Sequence, residues 1–256
     1  MLSTSDIKFL KSLHNKKHRH LEGKILLEGH RLIQQALLAK SDIKKVWMTD
    51  NYNESILGRE LAHILQERKI LIEKSSEKSI DRVCDSQSSQ GVIAVMHIPK
   101  YEPMQKIPKY SLYLDDISDP GNLGTLIRTA VWFGIDSIFL SPYCVDPFNS
   151  KVLRSGMGAH FYLQRLMIIP PYELFEKCRN FGYAILGADM HGEPLQKIQI
   201  DLEKGWILIL GSEAHGMKDV LRSYITHKIS IPGVGGLESL NVSVAGGILL
   251  HNLRPQ

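Results

Sequence analysis

Short apolar runs alternate with amphipathic stretches along most of this chain, and this alternation constrains the fold more than any other feature. In the first half, apolar runs predict strands at residues 24–27, 45–48, 69–72 and 92–96, and helical periodicity predicts helices at 31–39, 56–67 and 76–84. In the second half, strands are predicted at residues 111–114, 137–140, 183–186, 206–210 and 228–231. The alternation favours α/β domains with largely parallel sheets.

Prolines at positions 99, 103 and 108 separate the two halves. Prolines this closely spaced favour an extended tether over a helix or a central strand. We therefore predict a smaller N-terminal α/β domain over residues 1–98, a proline-rich linker over 99–110 and a C-terminal α/β domain over 111–256.

Positive charge is concentrated before the end of this linker. Residues 1–107 contain 18 Lys and Arg against 13 Asp and Glu, whereas residues 108–256 contain 13 against 14. A basic cluster is typical of nucleic-acid binding, although a solvated helix and turn would carry the same charges. The candidate RNA-binding residues are Lys8, Lys11, Lys16, Lys17, Arg19 and Lys24.

Several function classes are disfavoured by residues that are missing from their motifs. The three cysteines are isolated, so no zinc site is predicted and a reducing compartment is indicated. We find no signal-like apolar segment and no run long enough to span a membrane, and we expect a cytoplasmic protein. The glycine-rich stretch at 233–238 lacks the third glycine of a dinucleotide-binding fingerprint, and Met217 stands where a phosphate-binding loop needs lysine. The chain contains neither the GxSxG motif of serine hydrolases nor the HExxH motif of zinc proteases.

Three glycine- and asparagine-rich segments remain, each after a predicted strand. They are DDISDPGNLGTLIRTAVWFG (115–134), LGSEAHGM (210–217) and ISIPGVGGLESLNVSVAGG (229–247). Loops at the carboxyl ends of parallel strands bind ligands, and glycine lets backbone groups approach a ligand closely. Taken singly, a turn followed by a core helix is the simpler interpretation of each segment.

Together and in this order, the three segments closely resemble the motifs of the SpoU/TrmH family of RNA ribose 2′-O-methyltransferases. The resemblance covers most of residues 111–253, and ESLNVS at 238–243 is its most specific part. Residues 5–97 resemble more loosely the substrate-binding domain of many members, including SQGVIAV at 89–95. Ala214 departs from the pattern, because many relatives have glycine there.

The resemblance implies a trefoil-knotted α/β catalytic domain and a homodimer, formed by the C-terminal domain, with active sites close to its interface. It implies S-adenosyl-L-methionine as the cofactor, without a metal. The adenosine part of that cofactor would be held by backbone and apolar contacts around Leu186, Gly187, Gly211, Ile231 and Leu240.

The resemblance also implies that Arg128 is catalytic. A guanidinium is a very poor base, so we interpret Arg128 as a phosphate anchor that polarises the 2′-hydroxyl, and whether it takes the proton itself stays open. The other polar motif positions are Asn122, Glu213, Ser239 and Asn241. Ser239 equally suits a helix N-cap.

The expected substrate is a structured RNA. Family members with a full N-terminal domain often modify large-subunit ribosomal RNA, so ribosomal RNA is favoured over transfer RNA. Two other interpretations are a non-catalytic RNA-binding assembly factor and a knotted methyltransferase that acts on a base nitrogen.

Overall fold

The computed structural model describes residues 2–86, 89–101, 106–198, 203–212, 216–235 and 239–255. The chain forms two compact units, one from residues 1–100 with 148–161 and the other from residues 101–147 with 162–256. Among the helices in these described ranges, none combines the length and apolar character of a membrane span.

The first unit is a mixed sheet with helices. Its elements are α1 (Thr4–Ser12), α2 (Lys16–Glu22), β1 (Lys24–Glu28), α3 (His30–Leu38), β2 (Ile43–Met48), α4 (Asp50–Glu54), α5 (Ile56–Glu67), β3 (Leu71–Lys74), α6 (Glu77–Asp81) and β4 (Val92–His97). The strand order is β1-β4-β2-β3. β4 runs antiparallel to β1 and β2, whereas β2 and β3 are parallel.

The expectation of a largely parallel sheet is therefore wrong for the first unit. A parallel return from β3 would need a crossover that spans the sheet. The connection between β3 and β4 makes no such crossover, and its described residues contain only the 5-residue helix α6. β4 starts beside the end of β2, where Val92 pairs with Met48, and runs back between β1 and β2.

The third strand begins two residues later than predicted because α5 ends in a left-handed residue. Lys69 has a φ of +56°, and Ile70 N donates to Leu65 O at 2.9 Å. These features close the carboxyl end of the helix, so the strand begins only at Leu71.

The second unit is built on a parallel sheet, as predicted. Its elements are β5 (Tyr110–Leu114), α7 (Pro120–Trp132), β6 (Ser137–Leu140), β7 (Arg165–Ile168), α9 (Pro171–Asn180), β8 (Ala184–Pro194), β9 (Trp206–Leu210), α10 (Asp219–Arg222), β10 (His227–Ser230) and α11 (Val242–Leu253). The helix between β6 and β7, α8 (Ser150–Ser155), belongs to the first unit. The strand order is β10-β8-β9-β5-β6-β7. Every neighbouring pair within the described residues is parallel.

Helices cover both faces of this sheet. On one face, Tyr113 packs edge-on against Phe175 of α9, with ring centroids 5.0 Å apart. On the other face, α11 lies against α7 and the end of β9. A Cβ added to Gly246 would lie 2.5 Å from Leu126 Cδ2 and 2.8 Å from Leu210 Cδ1, so any side chain there would have to displace these two buried leucines.

The segment 148–161, expected within the C-terminal domain, folds with the first unit. Arg154 Nη1 lies 3.2 Å from Glu28 Oε2, and Ser150 Oγ donates to Asp85 Oδ2 at 2.8 Å. The side chain of Glu28 is 3% exposed, and its carboxylate also accepts hydrogen bonds from the backbone N–H groups of Asp85 and Ser86. A buried carboxylate needs such partners because it has lost its water, and here those partners include the inserted segment.

We predict that Glu28→Gln lowers the free energy of unfolding by about 2 kcal/mol, because an amide replaces one of the two acceptor oxygens. Arg154→Gln should cost about 1 kcal/mol, since solvent screens a partly exposed guanidinium. Urea unfolding followed by circular dichroism measures both. Glu67→Gln, at an exposed carboxylate, is the control and should change nothing. Unfolding of Glu28→Gln at the same urea concentration as the unmodified protein would contradict the role of this carboxylate.

Candidate active site

The ends of neighbouring parallel strands meet at one edge of the second sheet. Leu114 of β5 pairs with Leu210 of β9, and Gly187 of β8 pairs with Ile209 of β9 and Lys228 of β10. The glycine- and asparagine-rich segments follow β5, β9 and β10. The sheet therefore brings the beginnings of all three segments to a common edge.

Asp115 and Lys218 connect the first segment to the second. Asp115 N donates to Leu210 O at 2.9 Å, and the buried Asp115 carboxylate accepts from Lys218 N at 3.3 Å. Lys218 Nζ lies 3.4 Å from Asp116 Oδ2 and 3.6 Å from the centroid of the Tyr143 ring. These residues were not among the predicted site residues, although two aspartates directly after a buried strand were a usable signal.

Gly211 begins a loop that folds back on itself. Gly216 N donates to Ser212 O at 2.8 Å. A Cβ on Gly211 would lie 2.4 Å from Gly216 C and 2.5 Å from Met217 N, so only glycine fits. Glu213 and Ala214 lie outside the described residues, and the place of Glu213 among the polar motif positions stays a prediction.

Asn122 and Asn241 join the first segment to the third. Asn241 Nδ2 donates to Asn122 Oδ1 at 3.1 Å. Asn241 Oδ1 also accepts from Ser243 N at 2.9 Å and Val244 N at 3.3 Å, which caps α11. On α7, Asp119 Oδ1 accepts from Asn122 N at 2.8 Å. The link therefore joins the amino ends of α7 and α11.

The N-cap of α11 is Asn241, which corrects the interpretation of Ser239 as a cap. α11 begins at Val242, so Ser239 is two residues too early for its side chain to take the cap position. Ser239 and Leu240 are exposed in the loop that precedes the helix.

Arg128 lies on the exposed side of α7. The apolar residues of that helix at positions 123, 126, 127 and 130 are buried, whereas Thr125, Arg128 and Trp132 are exposed at the spacing of a single helix face. Trp132 is 79% exposed, and α11 adds exposed Val244 and Ile248. The outward side of the α7–α11 pair therefore places one cation among apolar side chains.

Four of the five expected cofactor-contacting residues lie where β8 stops pairing with β9 or directly after β9 and β10, whereas Leu240 lies just before α11. The Leu186 side chain is buried, and a Cβ on Gly187 would lie 2.4 Å from Ile225 Cδ1 and 3.1 Å from Met217 Cε. Leu186 therefore offers a ligand its backbone rather than its side chain. Gly211 and Ile231 directly follow β9 and β10.

Between Gly187 and Glu193, β8 makes an excursion out of its pairing with β10. Lys228 pairs with Gly187, but the next residue of β10, Ile229, pairs with Glu193. Within this excursion, Asp189 Oδ1 accepts a hydrogen bond from His191 N at 3.0 Å. Asp189 Oδ2 forms an ion pair with Arg222 Nη1 at 2.9 Å. The His191 N–H, followed by Arg222, lowers the pKa of Asp189. The sequence analysis ended this strand at residue 186 and missed Asp189.

The predicted RNA-binding residues do not share one environment. Lys8, Lys11, Lys16 and Lys17 are exposed on α1 and α2. Lys24 is half-buried, with Nζ 5.3 Å from the centroid of the Phe9 ring.

Arg19 is a correction to this set. It is 3% exposed, and its Nη1 donates to the backbone oxygens of Leu13 and His14, both at 2.8 Å. Its guanidinium satisfies carbonyls at the end of α1 and is not available to bind phosphate.

Comparisons with known proteins agree with this architecture. Residues 109–251 match the SpoU rRNA Methylase family, and residues 4–94 match the MRM3-like substrate binding domain. The chain is 32% identical over 250 residues to the 23S rRNA (guanosine(2553)-2′-O)-methyltransferase RlmP of Bacillus subtilis, covering 97% of this chain and 95% of RlmP.

Two solved structures have the same fold over nearly their full length. A TrmH-family protein from Porphyromonas gingivalis superposes with a TM-score of 0.84 at 30% identity, covering 99% of this chain and 98% of that one. The AdoMet-bound rRNA methyltransferase from Sinorhizobium meliloti has a TM-score of 0.81 at 27% identity, covering 98% and 95%. The resemblance found in the three sequence segments is confirmed, and this chain belongs to the SpoU rRNA methylase family.

Proposed function

We propose that this protein transfers the methyl group of S-adenosyl-L-methionine to a ribose 2′-hydroxyl of large-subunit ribosomal RNA. The observation that carries the proposal is the convergence of the three motif segments at the carboxyl edge of the parallel sheet. RlmP, named for this reaction on 23S rRNA, supports the substrate class.

The residues at this edge fit the adenosine part of the cofactor. Val234 and Leu240 are exposed apolar side chains on the loop after β10, and Met190 is exposed on the β8 excursion. A Cβ on Gly233 or Gly235 would meet no atom within 4 Å. An open backbone beside exposed apolar side chains suits a flat, partly apolar ligand.

When bound, the cofactor supplies a methyl group made electrophilic by its sulfonium. Residues of this chain must align the ribose oxygen and help to remove its proton. The planar guanidinium of Arg128 suits a phosphate in two-point contact, and in that position it polarises the neighbouring hydroxyl. Asn122 and Asn241 hold the helices that carry these groups in register.

We also propose the family's trefoil knot. After the edge strand β10, the chain returns to α7 and the end of β9, where Gly246 packs against Leu126 and Leu210. Such a return from the sheet edge to its centre is the path that a threaded carboxyl-terminal segment requires.

We further propose a homodimer through the outward side of α7 and α11. Arg128 shares this side with Trp132, Val244 and Ile248, so a second copy covering the apolar groups would enclose the arginine. Trp132→Arg should therefore shift the protein to a monomer in sedimentation velocity, because it places a charge in the contact. Trp206, buried at 1% exposure, provides a fluorescence check that the variant is folded. An unchanged dimer would exclude this surface.

The function is tested by incubating the purified protein with labelled cofactor and RNA from a strain that lacks the gene, followed by nucleoside analysis. Labelled 2′-O-methylnucleosides in large-subunit ribosomal RNA are expected. Label only in transfer RNA would overturn the substrate, and labelled methylated bases would overturn the reaction. No label in any RNA would favour an assembly factor.

Two variants should separate catalysis from cofactor binding. Arg128→Ala should lower the methylation rate by about 10²-fold or more while cofactor affinity stays within a few-fold, because Arg128 acts on the RNA. Gly211→Ala should weaken cofactor binding by about tenfold or more, because the new Cβ forces the loop to move. Calorimetric titration of the cofactor and single-turnover methylation measure both effects.

Arg128→Lys and Gly216→Ala are the matched controls. Lysine keeps the positive charge but lacks the planar, two-point guanidinium, so Arg128→Lys should recover only part of the methylation rate that Arg128→Ala loses. Gly216 has open space for a Cβ but a φ of +63°, so Gly216→Ala should weaken cofactor binding less than Gly211→Ala. Parallel loss of cofactor affinity and activity in Arg128→Ala would reassign that residue to cofactor binding.

A further inference from the structure

The first unit contains an open pocket that the proposed chemistry does not use. It encloses about 420 Å³ between α1 and the sheet edge at which β1 and β2 begin and β4 ends. All of its lining residues belong to the first unit. Its volume is that of a small-molecule site.

The floor of the pocket is apolar and aromatic. Trp47 and Val95 are buried at 3% and 5% exposure, and Phe9 packs half-buried against the same core. Trp47 Nε1 donates to Glu73 Oε2 at 3.1 Å, which fixes the indole. A flat aromatic ligand would find a rigid apolar surface here.

The rim of the pocket is cationic. The register of β2 on β4 shifts between Ile43 and Lys45, and the intervening Lys44 is 45% exposed. Lys44 Nζ lies 3.0 Å from Asp42 Oδ2, and Lys45 Nζ lies 2.6 Å from Glu73 Oε1. An ammonium has three N–H donors, so these ion pairs orient the lysines and leave donors for a ligand.

Lys24 and His97, which pair across β1 and β4, complete the rim. His97 Nδ1 lies 3.0 Å from Asp42 Oδ2, so Lys44 and His97 are held by the same carboxylate. Lys24 Nζ is 4.0 Å from Glu22 Oε2 and 5.3 Å from the centroid of the Phe9 ring, so its ion pair is long and its ammonium lies beside the aromatic floor.

Asp6 also lines the pocket, but it is engaged at the start of α1. Its Oδ2 accepts hydrogen bonds from Ser3 Oγ at 2.7 Å and Ser3 N at 3.0 Å. These hydrogen bonds, that of the hydroxyl first, lower the pKa of Asp6. Three lysines therefore face one carboxylate among the described lining residues, and the carboxylates of Asp42 and Glu73 that pair with two of them do not line the pocket. An anion would bind to the ammonium N–H groups that these ion pairs leave unused.

We propose that this pocket binds one unpaired nucleotide of the substrate RNA, with its base on the floor at Phe9 and its phosphate at Lys44 and Lys24. The inference rests on the proposed function, which makes RNA the substrate. An aromatic floor beside a cationic rim matches the two chemical parts of a nucleotide. The exposed lysines of α1 and α2 contact only the phosphate backbone, whereas this pocket adds a contact to a base.

The test measures binding of a short fluorescent single-stranded RNA of mixed sequence to the full chain across a range of salt concentrations. Lys44→Glu should weaken binding by about tenfold and make it less dependent on salt, because a phosphate contact is lost. Phe9→Leu should weaken binding by about fivefold without changing the salt dependence, because only stacking is lost. Lys78→Glu, the same charge change on an exposed lysine of α6, is the matched control and should have a smaller effect.

Photo-crosslinking of the same RNA carrying 4-thiouridine should join it to the peptide that contains Phe9. Equal effects of Lys44→Glu and Lys78→Glu, or an unchanged affinity for Phe9→Leu, would overturn the pocket. Crosslinks confined to peptides that lack Phe9 would also overturn the pocket. Unchanged melting temperature and cofactor affinity show that each variant is folded.

Methyl transfer by the unmodified protein is measured in parallel and separates the two proposals. If it methylates ribose while the pocket variants bind RNA normally, the pocket is wrong and the proposed function stands. If it methylates no RNA, the proposed function fails and the pocket loses the substrate on which it rests.

Discussion

The parallel pairing of β5 with β9 is the interaction on which the organisation of the second unit depends. It joins Tyr110–Leu114 to Trp206–Leu210, which are far apart in sequence, and aligns their carboxyl ends. Asp115 can then donate to Leu210 O and accept from Lys218 N. A slip in this register would move Asp115 away from the loop that begins at Gly211, because every residue of a ladder shifts together.

The third segment begins at the same edge through the pairing of β10 with β8, and close packing then places the helix that ends it. α11 approaches α7 and β9 at Gly246, where a side chain would have to displace Leu126 and Leu210. That approach brings Asn241 to Asn122, so one hydrogen bond joins the amino ends of both helices. Because Arg128 lies farther along α7, this contact also helps to fix its position.

The first unit depends on a buried charge in a different way. Glu28 binds two backbone N–H groups and Arg154, and Arg154 belongs to a segment whose neighbours in sequence lie in the second unit. The units are thus linked by chain crossings on both sides of residues 148–161 as well as after residue 100. Deleting residues 1–100 would uncover Val152 and Leu153, which are buried in the intact chain, so point substitutions test RNA binding more cleanly.

The sequence by itself determined five of the six parallel strands of the second unit, all but β7, and the three motifs, because periodicity and glycine positions record local burial and local backbone demands. It did not determine which distant groups meet. β4 is antiparallel because the chain does not cross the sheet after β3. Arg19 is buried because it donates to two carbonyls at the end of α1, and Asn241 is the cap because α11 begins at Val242. The nucleotide-sized pocket likewise exists only because a bulge at Lys44, a turn of α1 and the end of β4 converge. Contacts of this kind join residues whose spacing in the chain carries no period, so only the tertiary structure decided them.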